Sequence, residues 1–228
     1  MKKYIKKCIE LNQNLVEYNL TKLTWGNASI RNENKVYIKP SGINLKLLNK
    51  KNISIIDIDT NKFTGYKPSV DTPIHLEIYK NFNNINSIVH THSKYATIWS
   101  QCKEPIPILG TTHADCFPED IPLIDIDKNF NFNDYENNLG KLISNYFISN
   151  QKDPANIRAI LLANHGAFIF SNSADSILEY AVTLEYIAEM AMYCYLMKYK
   201  FNFYDTIPQE LFKKHFERKN GESKYYGQ

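Results

Sequence analysis

The sequence Ser87-Ile88-Val89-His90-Thr91-His92-Ser93 ends a short apolar run with two histidines that a single residue separates. Successive side chains of an extended strand point to opposite faces, so His90 and His92 share one face. Two imidazoles on one face, a few ångströms apart, are suited to bind one metal ion. The alternative is that each histidine is a hydrogen-bonded interior residue. The pair alone does not decide between these readings.

A third histidine has a matching position. The apolar run of residues 157–163 leads into Asn164-His165-Gly166, so His165, like His92, follows a predicted buried strand. Ends of buried strands hold side chains rigidly. Three neutral imidazoles with one open position are the ligand set of a catalytic zinc ion, whereas structural zinc sites commonly include sulfur. The pattern therefore favours a metal site formed by His90, His92 and His165 over three structural histidines.

Three other histidines remain. His75 falls in a predicted helix and is expected to be structural. His113 stands beside Asp115, and the sequence assigns it no role. His215 lies in the basic run of residues 213–219, which Phe216 and Glu217 interrupt. That run predicts a solvated helix face with subunit contacts rather than a nucleic-acid site.

Composition restricts the class of protein. Of the 228 residues, 43% are hydrophobic and 22% are charged, which is ordinary for a globular protein. The net charge of +3 is too small to indicate a nucleic-acid partner. The four cysteines form no C-x-x-C pair, so neither a zinc ribbon nor a dense disulfide framework is indicated. Reduced thiols in a cytoplasm are the simpler expectation.

Neither a secretory leader nor a membrane span is predicted. Polar residues from Glu10 to Asn14 interrupt the apolar core that a leader needs. The longest apolar stretch, residues 181–197, contains Glu185 and Glu189 and is short for a span. We therefore expect a soluble, unprocessed cytoplasmic protein without a membrane partner.

The predicted helices and strands alternate along the chain. Helical spacing or capping signals predict helices at residues 2–18, 72–82, 135–148, 174–198 and 208–219, with a short one after Ser93. Alternating or apolar runs predict strands at 28–31, 36–38, 53–58, 87–92, 106–109, 157–163 and 167–170. Residues 118–134 are predicted to be a loop. The pattern indicates one mixed α/β domain over residues 1–228, with helices on both faces of a sheet.

Six motifs together resemble the class II aldolase/adducin family. They are Leu-Thr-Trp-Gly-Asn (23–27), Lys-Pro-Ser-Gly (39–42), Lys-Pro-Ser-Val-Asp-Thr-Pro (67–73), His-Thr-His-Ser (90–93), Gly-Thr-Thr-His-Ala-Asp (110–115) and Asn-His-Gly (164–166). The ending, from Lys-His-Phe-Glu-Arg-Lys (214–219) to Tyr-Tyr-Gly-Gln (225–228), resembles one branch, the L-ribulose-5-phosphate 4-epimerases. The resemblance covers essentially the whole chain.

The resemblance implies a central, largely antiparallel sheet between helical layers. It also implies a homotetramer with sites at subunit interfaces, where the tail of residues 222–228 reaches a neighbour. The expected cofactor is one divalent ion per subunit, with Zn²⁺ preferred. The expected reaction converts L-ribulose 5-phosphate, a pentulose phosphate, into D-xylulose 5-phosphate by retro-aldol cleavage between carbons 3 and 4 and re-addition. The ion would act as a Lewis acid on the enediolate left after cleavage.

The resemblance also implies roles for individual residues. Asp71 would be a fourth ligand beside His90, His92 and His165, although it could instead cap a helix. The aldolase branch typically has glutamate there, so aspartate favours the epimerases. Asp115 and Tyr226 would carry protons on the two faces of the aldehyde. The alternatives are an aspartate in a turn and a tail without a role in the site.

The family's phosphate pocket matches three short segments. Small residues and exposed backbone N–H groups there can approach an anion closely. The matching residues are Gly26, Asn27, Ser41, Gly42 and Ser69, and Lys39 could supply charge. The family usually has a second serine where this chain has Val70, which leaves only a backbone N–H to contact phosphate. Glu136, His215 and Arg218 match epimerase positions and are expected to support the site, with surface ion pairing as the alternative.

Two other functions remain possible at this point. A class II sugar-phosphate aldolase, such as one acting on L-fuculose 1-phosphate, would stop after cleavage. Asp71 and the Tyr-Tyr-Gly-Gln ending argue against it. A non-catalytic module like the adducin head domain would not need a metal, and the presence of His90, His92 and His165 together argues against that.

Overall fold

The computed structural model describes residues 1–126, 128–201, 206–222 and 224. The strands in this part of the chain are β1 (Asn27–Asn32), β2 (Lys35–Ile38), β3 (Ser54–Asp57), β4 (Phe63–Thr64), β5 (Ser87–Thr91), β6 (Leu123–Ile124), β7 (Ala159–Leu162) and β8 (Gly166–Ser171). They form one sheet in the order β4-β3-β2-β1-β5-β8-β7-β6. Every neighbouring pair is antiparallel except β6 and β7. The prediction of a mixed, largely antiparallel sheet is confirmed.

Helices cover both faces of this sheet, also as predicted. They are α1 (Lys2–Glu17), α2 (Thr72–Asn81), α3 (Lys94–Cys102), α4 (Thr111–Cys116), α5 (Tyr135–Ser149), α6 (Pro154–Ile157), α7 (Ile177–Phe201) and α8 (Gln209–Asn220). One core lies between the sheet and helices α1, α3 and α7, and a second lies between the sheet and helices α2 and α5. No helix in the described ranges combines the length and the apolar character that a membrane crossing requires.

Strand β5 lies in the interior of the sheet and is buried along its whole length. Val89 belongs to the core beneath α1, α3 and α7, whereas Ile88 belongs to the core beneath α2 and α5. The alternation of side chains directs His90 to the same face as Ile88. The first of the two predicted histidines therefore faces the α2 and α5 layer.

Two segments differ from the sequence-based predictions. The expected strand at residues 106–109 is reduced to one bridge between Ile106 and Ile121, and the motif that follows it forms helix α4. This helix is only six residues long and is held by its packing against α8, which a local pattern does not reveal. The predicted loop of residues 118–134 contains the two-residue strand β6, which pairs with β7.

Helix α7 is rich in apolar residues, but only part of its surface is buried. Ile177, Leu184 and Ala188 face the core. Tyr186 and Leu196 are exposed by more than half of their surface. The high apolar content of α7 therefore reflects one core face together with an exposed aromatic and aliphatic face.

Candidate metal centre

The three predicted histidines come together in the structure. His90 lies on β5, His92 follows it directly, and His165 lies in the turn between β7 and β8. Because β5 pairs with β8, with His90 opposite Phe168, the β7–β8 turn lies at the end of β5 that carries the histidines. One nitrogen from each of the three rings lies within 4.8 Å of the others. Sheet register therefore assembles the cluster.

Burial keeps this cluster uncharged. The pKa of His90 is well below its ordinary value, first because of burial and then because of the neighbouring His165 and His92. Burial also lowers the pKa of His92 and His165, and the nearby carboxylate of Asp71 partly opposes the shift in each. Neutral imidazoles are the form that coordinates metal ions.

Hydrogen bonds orient two of the three rings. Nδ1 of His90 lies 3.0 Å from the carbonyl oxygen of Ala167, so this nitrogen carries the proton and Nε2 keeps its lone pair. Nδ1 of His165 lies 3.3 Å from the hydroxyl of Tyr135, whose ring stacks on the imidazole. Outer contacts of this kind fix the tautomer and the ring direction of metal-ligating histidines. Tyr135 lies at the first position of α5, and no sequence motif indicates its role here.

The geometry of the cluster fits a metal ion. Nε2 of His90 and Nε2 of His92 are 2.9 Å apart. Two histidine ligands of a tetrahedral zinc ion, with Zn–N bonds of about 2.0–2.1 Å, lie roughly 3.3 Å apart. The three neutral nitrogens, close together at the end of a buried strand, can therefore hold one metal ion.

Asp71 lies beside the cluster. It precedes α2, but its side chain makes no capping hydrogen bond to the helix. Its carboxylate instead accepts a hydrogen bond from the side-chain amide of Asn27 at 2.5 Å. Asn27 pairs with His90 in the ladder between β1 and β5. The structure therefore brings Asp71 to the edge of the histidine cluster through Asn27.

The segments matched to a phosphate pocket also meet in space. The backbone of Ser41 donates to the carbonyl of Lys67, and the backbone of Ser69 donates to the carbonyl of Lys39. The side chain of Lys39 is buried, and its Nζ donates a hydrogen bond to the carbonyl oxygen of Thr24 at 2.5 Å. Thr24 lies two residues before Gly26 in the first of the three segments. Burial lowers the pKa of Lys39, and the charge of Asp71 opposes that shift. The three segments thus form one surface next to Asp71.

Two glycines on this surface have backbone conformations that other residues rarely adopt. Gly26 has a φ of +63°, and a Cβ atom there would lie 2.7 Å from the carbonyl oxygen of His90. This close approach to strand β5 requires glycine. Gly42 also has a positive φ, of +69°, with open space around it. Val70 is 60% exposed and lines a groove of about 380 Å³ together with Phe63 and other residues.

Asp115 is held by side chains of helix α8. It is on α4, where Arg218 of α8 donates to both of its carboxylate oxygens, at 3.1 and 2.8 Å. Nδ1 of His215 lies 3.2 Å from the same carboxylate, and the side chain of Asn220 donates to the Asp115 carbonyl. Among the described residues, no hydrogen bond or ion pair joins Asp115 to the three histidines. Helices α4 and α8 of one chain therefore bring Asp115, His215 and Arg218 together.

The structure also shows the surroundings of His113 and Glu136. His113 is buried, and its Nε2 lies 3.0 Å from the carbonyl oxygen of Glu119. Burial lowers the pKa of His113 to about 4, so a structural role fits it. Glu136 follows Tyr135 in the first turn of α5, and its charge contributes to the raised pKa of that tyrosine after the larger effect of burial. Tyr226 lies outside the described residues.

The comparisons with known proteins agree with this architecture. Residues 6–192 match the family model described as class II aldolase and adducin N-terminal domain. The chain is 38% identical, over 98% of its length and 93% of the relative, to a Mycoplasma pneumoniae protein named probable L-ribulose-5-phosphate 4-epimerase UlaF.

Solved structures share the fold. An L-fuculose 1-phosphate aldolase superposes with a TM-score of 0.75 at 24% identity, covering 96% of each chain. YgbL from Klebsiella pneumoniae, described as a putative aldolase/epimerase/decarboxylase, gives a TM-score of 0.73 at 19% identity, covering 93% of this chain and 97% of that one. With the family model matching most of its length, the chain belongs to the class II aldolase and adducin family.

Proposed function

We propose that this chain is a metal-dependent L-ribulose-5-phosphate 4-epimerase, which interconverts L-ribulose 5-phosphate and D-xylulose 5-phosphate. The observation that carries the proposal is the cluster of three neutral histidines, in a chain 38% identical over nearly its full length to a probable enzyme of that name. A non-catalytic module would not need such a cluster. The family match and the metal-competent site both favour an enzyme.

His90, His92 and His165 would hold a divalent ion, most naturally Zn²⁺, with Asp71 as a fourth ligand. The bound ion would supply Lewis-acid stabilisation of the negative charge that develops on substrate oxygens when the bond between carbons 3 and 4 breaks. Asp71 is suited to this role because its carboxylate is held by Asn27, directly beside His90 in the sheet.

Asp115 and Tyr226 would move the protons. One of them takes the proton of the carbon-4 hydroxyl as the carbon–carbon bond breaks and an aldehyde forms. After the glycolaldehyde phosphate fragment rotates, the other returns a proton to the aldehyde oxygen from the opposite face. A free tyrosine has a pKa near 10, which suits Tyr226 as the donor. Arg218 and His215 would hold the Asp115 carboxylate in position.

The substrate's phosphate would bind to the surface formed by residues 26–27, 39–42 and 69–70. Backbone N–H groups of small residues can approach an anion closely there, and Lys39 adds a cation. Val70 would contribute its backbone N–H rather than a hydroxyl.

We further propose a homotetramer in which neighbouring subunits complete each site. Each site would then receive one of its proton carriers from a second copy. The tail of residues 222–228 follows α8 and would carry Tyr226 towards a neighbour. A cytoplasmic location would suit an enzyme that acts on free sugar phosphates.

A paired assay tests the reaction. Zinc-loaded protein is incubated with L-ribulose 5-phosphate and, separately, with L-fuculose 1-phosphate, and the products are identified by mass spectrometry and coupled enzymes. The proposal expects D-xylulose 5-phosphate from the first substrate and no lactaldehyde from the second. Lactaldehyde without epimerisation would identify an aldolase instead. Protein carrying His92→Asn is the matched control for background activity.

A further inference from the structure

Arg158, between helix α6 and strand β7, has an unusual backbone conformation. Its φ is +72° and its ψ is −27°, in the left-handed region that glycine adopts most readily. Strain of this kind persists only where the surrounding structure holds the residue. The N–H of Arg158 donates to the carbonyl of Pro154 at 2.8 Å, and its own carbonyl accepts from the N–H of Phe170 on β8 at 2.7 Å. The backbone of Arg158 is therefore anchored to the sheet.

The guanidinium of Arg158 binds the ends of two helices. Nη1 donates to the carbonyl oxygen of Cys116, the last residue of α4. Nη2 donates to Oδ1 of Asn220, the last residue of α8, at 2.9 Å. The guanidinium also lies 4.7 Å from the centre of the Tyr180 ring on α7. Its planar fork can bridge two acceptors, which the point charge of a lysine cannot reproduce.

Asn220 extends this contact to the backbone of Asp115. Because a guanidinium only donates, the amide oxygen of Asn220 faces Arg158 and the NH₂ group faces away from it. That NH₂ group donates to the carbonyl of Asp115 at 2.9 Å and to the carbonyl of Phe216 at 3.1 Å. The last carbonyl groups of a helix have no partner within it. Arg158 and Asn220 therefore satisfy two of them at the end of α4.

These contacts complement those of the Asp115 carboxylate. His215 and Arg218 hold the carboxylate, and both belong to α8. They fix it relative to α8 but do not fix α8 relative to the sheet. Arg158 supplies that connection, because it binds the ends of both helices from a backbone bonded to β8.

We propose that Arg158 is a positioning residue for Asp115. By joining the ends of α4 and α8 to the sheet, it sets the direction of the Asp115 carboxylate. It acts through a backbone carbonyl and an amide and does not touch the carboxylate itself. Strand β7 follows Arg158 and leads to the turn with His165, so one strand supports both parts of the proposed site. The effect on turnover rests on the proposed function, in which Asp115 moves a proton.

Crystal structures of the metal-free wild type and of Arg158→Lys test the geometry without metal or substrate. We expect the Asp115 carboxylate to shift by about 1 Å relative to β7 and β8, because lysine cannot span both acceptors. An unchanged carboxylate would overturn the proposal.

Arg31→Lys is the matched control for this substitution. Nη1 of Arg31 also donates to a carbonyl in the last turn of a helix, that of Tyr79 on α2, at 2.9 Å. Its guanidinium also lies near a tyrosine ring, 5.9 Å from the centre of Tyr79. We expect Arg31→Lys to leave Asp115 in place.

Turnover of L-ribulose 5-phosphate tests the consequence for catalysis. Arg158→Lys should lower kcat about tenfold, because a small displacement of a reacting group is costly. KM and zinc affinity should match the wild type, because the contacts of Arg158 are with α4, α7 and α8. Arg31→Lys should keep the wild-type kcat. An unchanged kcat in Arg158→Lys, or an equal loss in Arg31→Lys, would reject the positioning role.

An Asp115→Asn background separates positioning from a general loss of stability. If Arg158 affects turnover through the Asp115 carboxylate, Arg158→Lys should cause no further loss of the residual kcat in this background, measured at high enzyme concentration. A second, independent loss would show that Arg158 supports the site by another route and would contradict the proposal.

The two kinds of measurement separate this inference from the proposed reaction. A protein whose Asp115 carboxylate moves in Arg158→Lys, but which does not epimerise L-ribulose 5-phosphate, would contradict only the proposed function. An epimerase whose carboxylate and kcat are both unchanged in Arg158→Lys would contradict only the inference.

Discussion

Arg218 and Asp115 form a two-point ion pair in which Nε and Nη2 of the guanidinium each donate to a carboxylate oxygen. Both side chains are largely buried, and the pair joins helix α8 to helix α4. Two parallel bonds fix direction as well as distance. A carboxylate held in this way is suited to accept or donate a proton along one defined line.

Replacing Arg218 with lysine should therefore impair catalysis without removing the charge. Lysine offers a mobile point charge and cannot reproduce the planar fork. We expect the turnover number for L-ribulose 5-phosphate to fall about tenfold, because small displacements of a reacting group are costly. Zinc content and melting temperature should match the wild type. Lys213→Ala, at an exposed site on the same helix, is the control. Wild-type turnover in Arg218→Lys would remove this pair from the mechanism.

His92→Asn should abolish stable metal binding and turnover but leave the chain folded. The three imidazoles meet on a sheet that is already paired, so removing one ligand leaves the scaffold intact. Elemental analysis of the purified protein, an epimerase assay and circular dichroism test the three parts of this expectation. His215→Asn, which changes a histidine outside the cluster, should retain metal. Unfolding of the wild-type protein on chelation would instead indicate a structural metal site.

Tyr226→Phe should slow epimerisation by at least about a hundredfold, the usual contribution of a general acid. Only the hydroxyl is removed, so substrate affinity and zinc content should change little. Tyr225→Phe makes the same change one residue earlier and serves as the control. Stopped-flow or coupled assays at saturating substrate give the comparison. A full rate in the Tyr226 variant would exclude this residue as a proton carrier.

Val70→Ser should lower the KM for L-ribulose 5-phosphate and leave the turnover number unchanged. A hydroxyl at this position would add a hydrogen bond to a charged phosphate, for an effect of roughly tenfold to a hundredfold. Val70→Ala is the control, because it removes the valine methyl groups without adding a hydroxyl. If serine and alanine have the same effect on KM, residue 70 does not contact the phosphate through its side chain.

The buried imidazole of His75 should make the metal-free protein less stable in acid. Its pKa is about 3 in the folded chain and about 6.5 in the unfolded chain, so between these values only the unfolded state gains a proton. The free energy of unfolding should therefore fall as the pH drops below about 6.5. This residue alone contributes about 1.4 kcal/mol per pH unit within that window.

Urea unfolding of wild type and His75→Asn from pH 7 to about pH 4 measures this contribution. The variant should show a shallower dependence on pH, because asparagine does not titrate. Identical slopes would mean that His75 is not held neutral by burial.

The sequence was a good guide where local periodicity controls geometry. The alternation of β5 directs His90 towards the α2 and α5 layer, and His165 follows a buried strand as predicted. Local periodicity does not predict side-chain contacts between distant segments. Tyr135 meets His165, and Ser29 meets His75, through helix–sheet packing that leaves no periodic signal. The sequence also assigned no role to His113, whose burial suits a structural one.

Helix α4 is a further case of this limit. Its six residues carry too little local signal to distinguish a helix from a turn after Gly110. Contacts with α8, about a hundred residues later in the chain, hold it in place. The Asp115 motif was therefore identified from the sequence, but the helix that carries it was not.

The pairing of β5 with β8 has a consequence for how the protein matures. The cluster draws two histidines from the end of β5 and a third from the turn that precedes β8, so it forms only when these distant segments pair. A divalent ion would therefore find all three imidazoles together only in the folded sheet. Because it would bind the folded chain in preference to the unfolded one, metal supply would raise the stability of the protein as well as set how much of it is active.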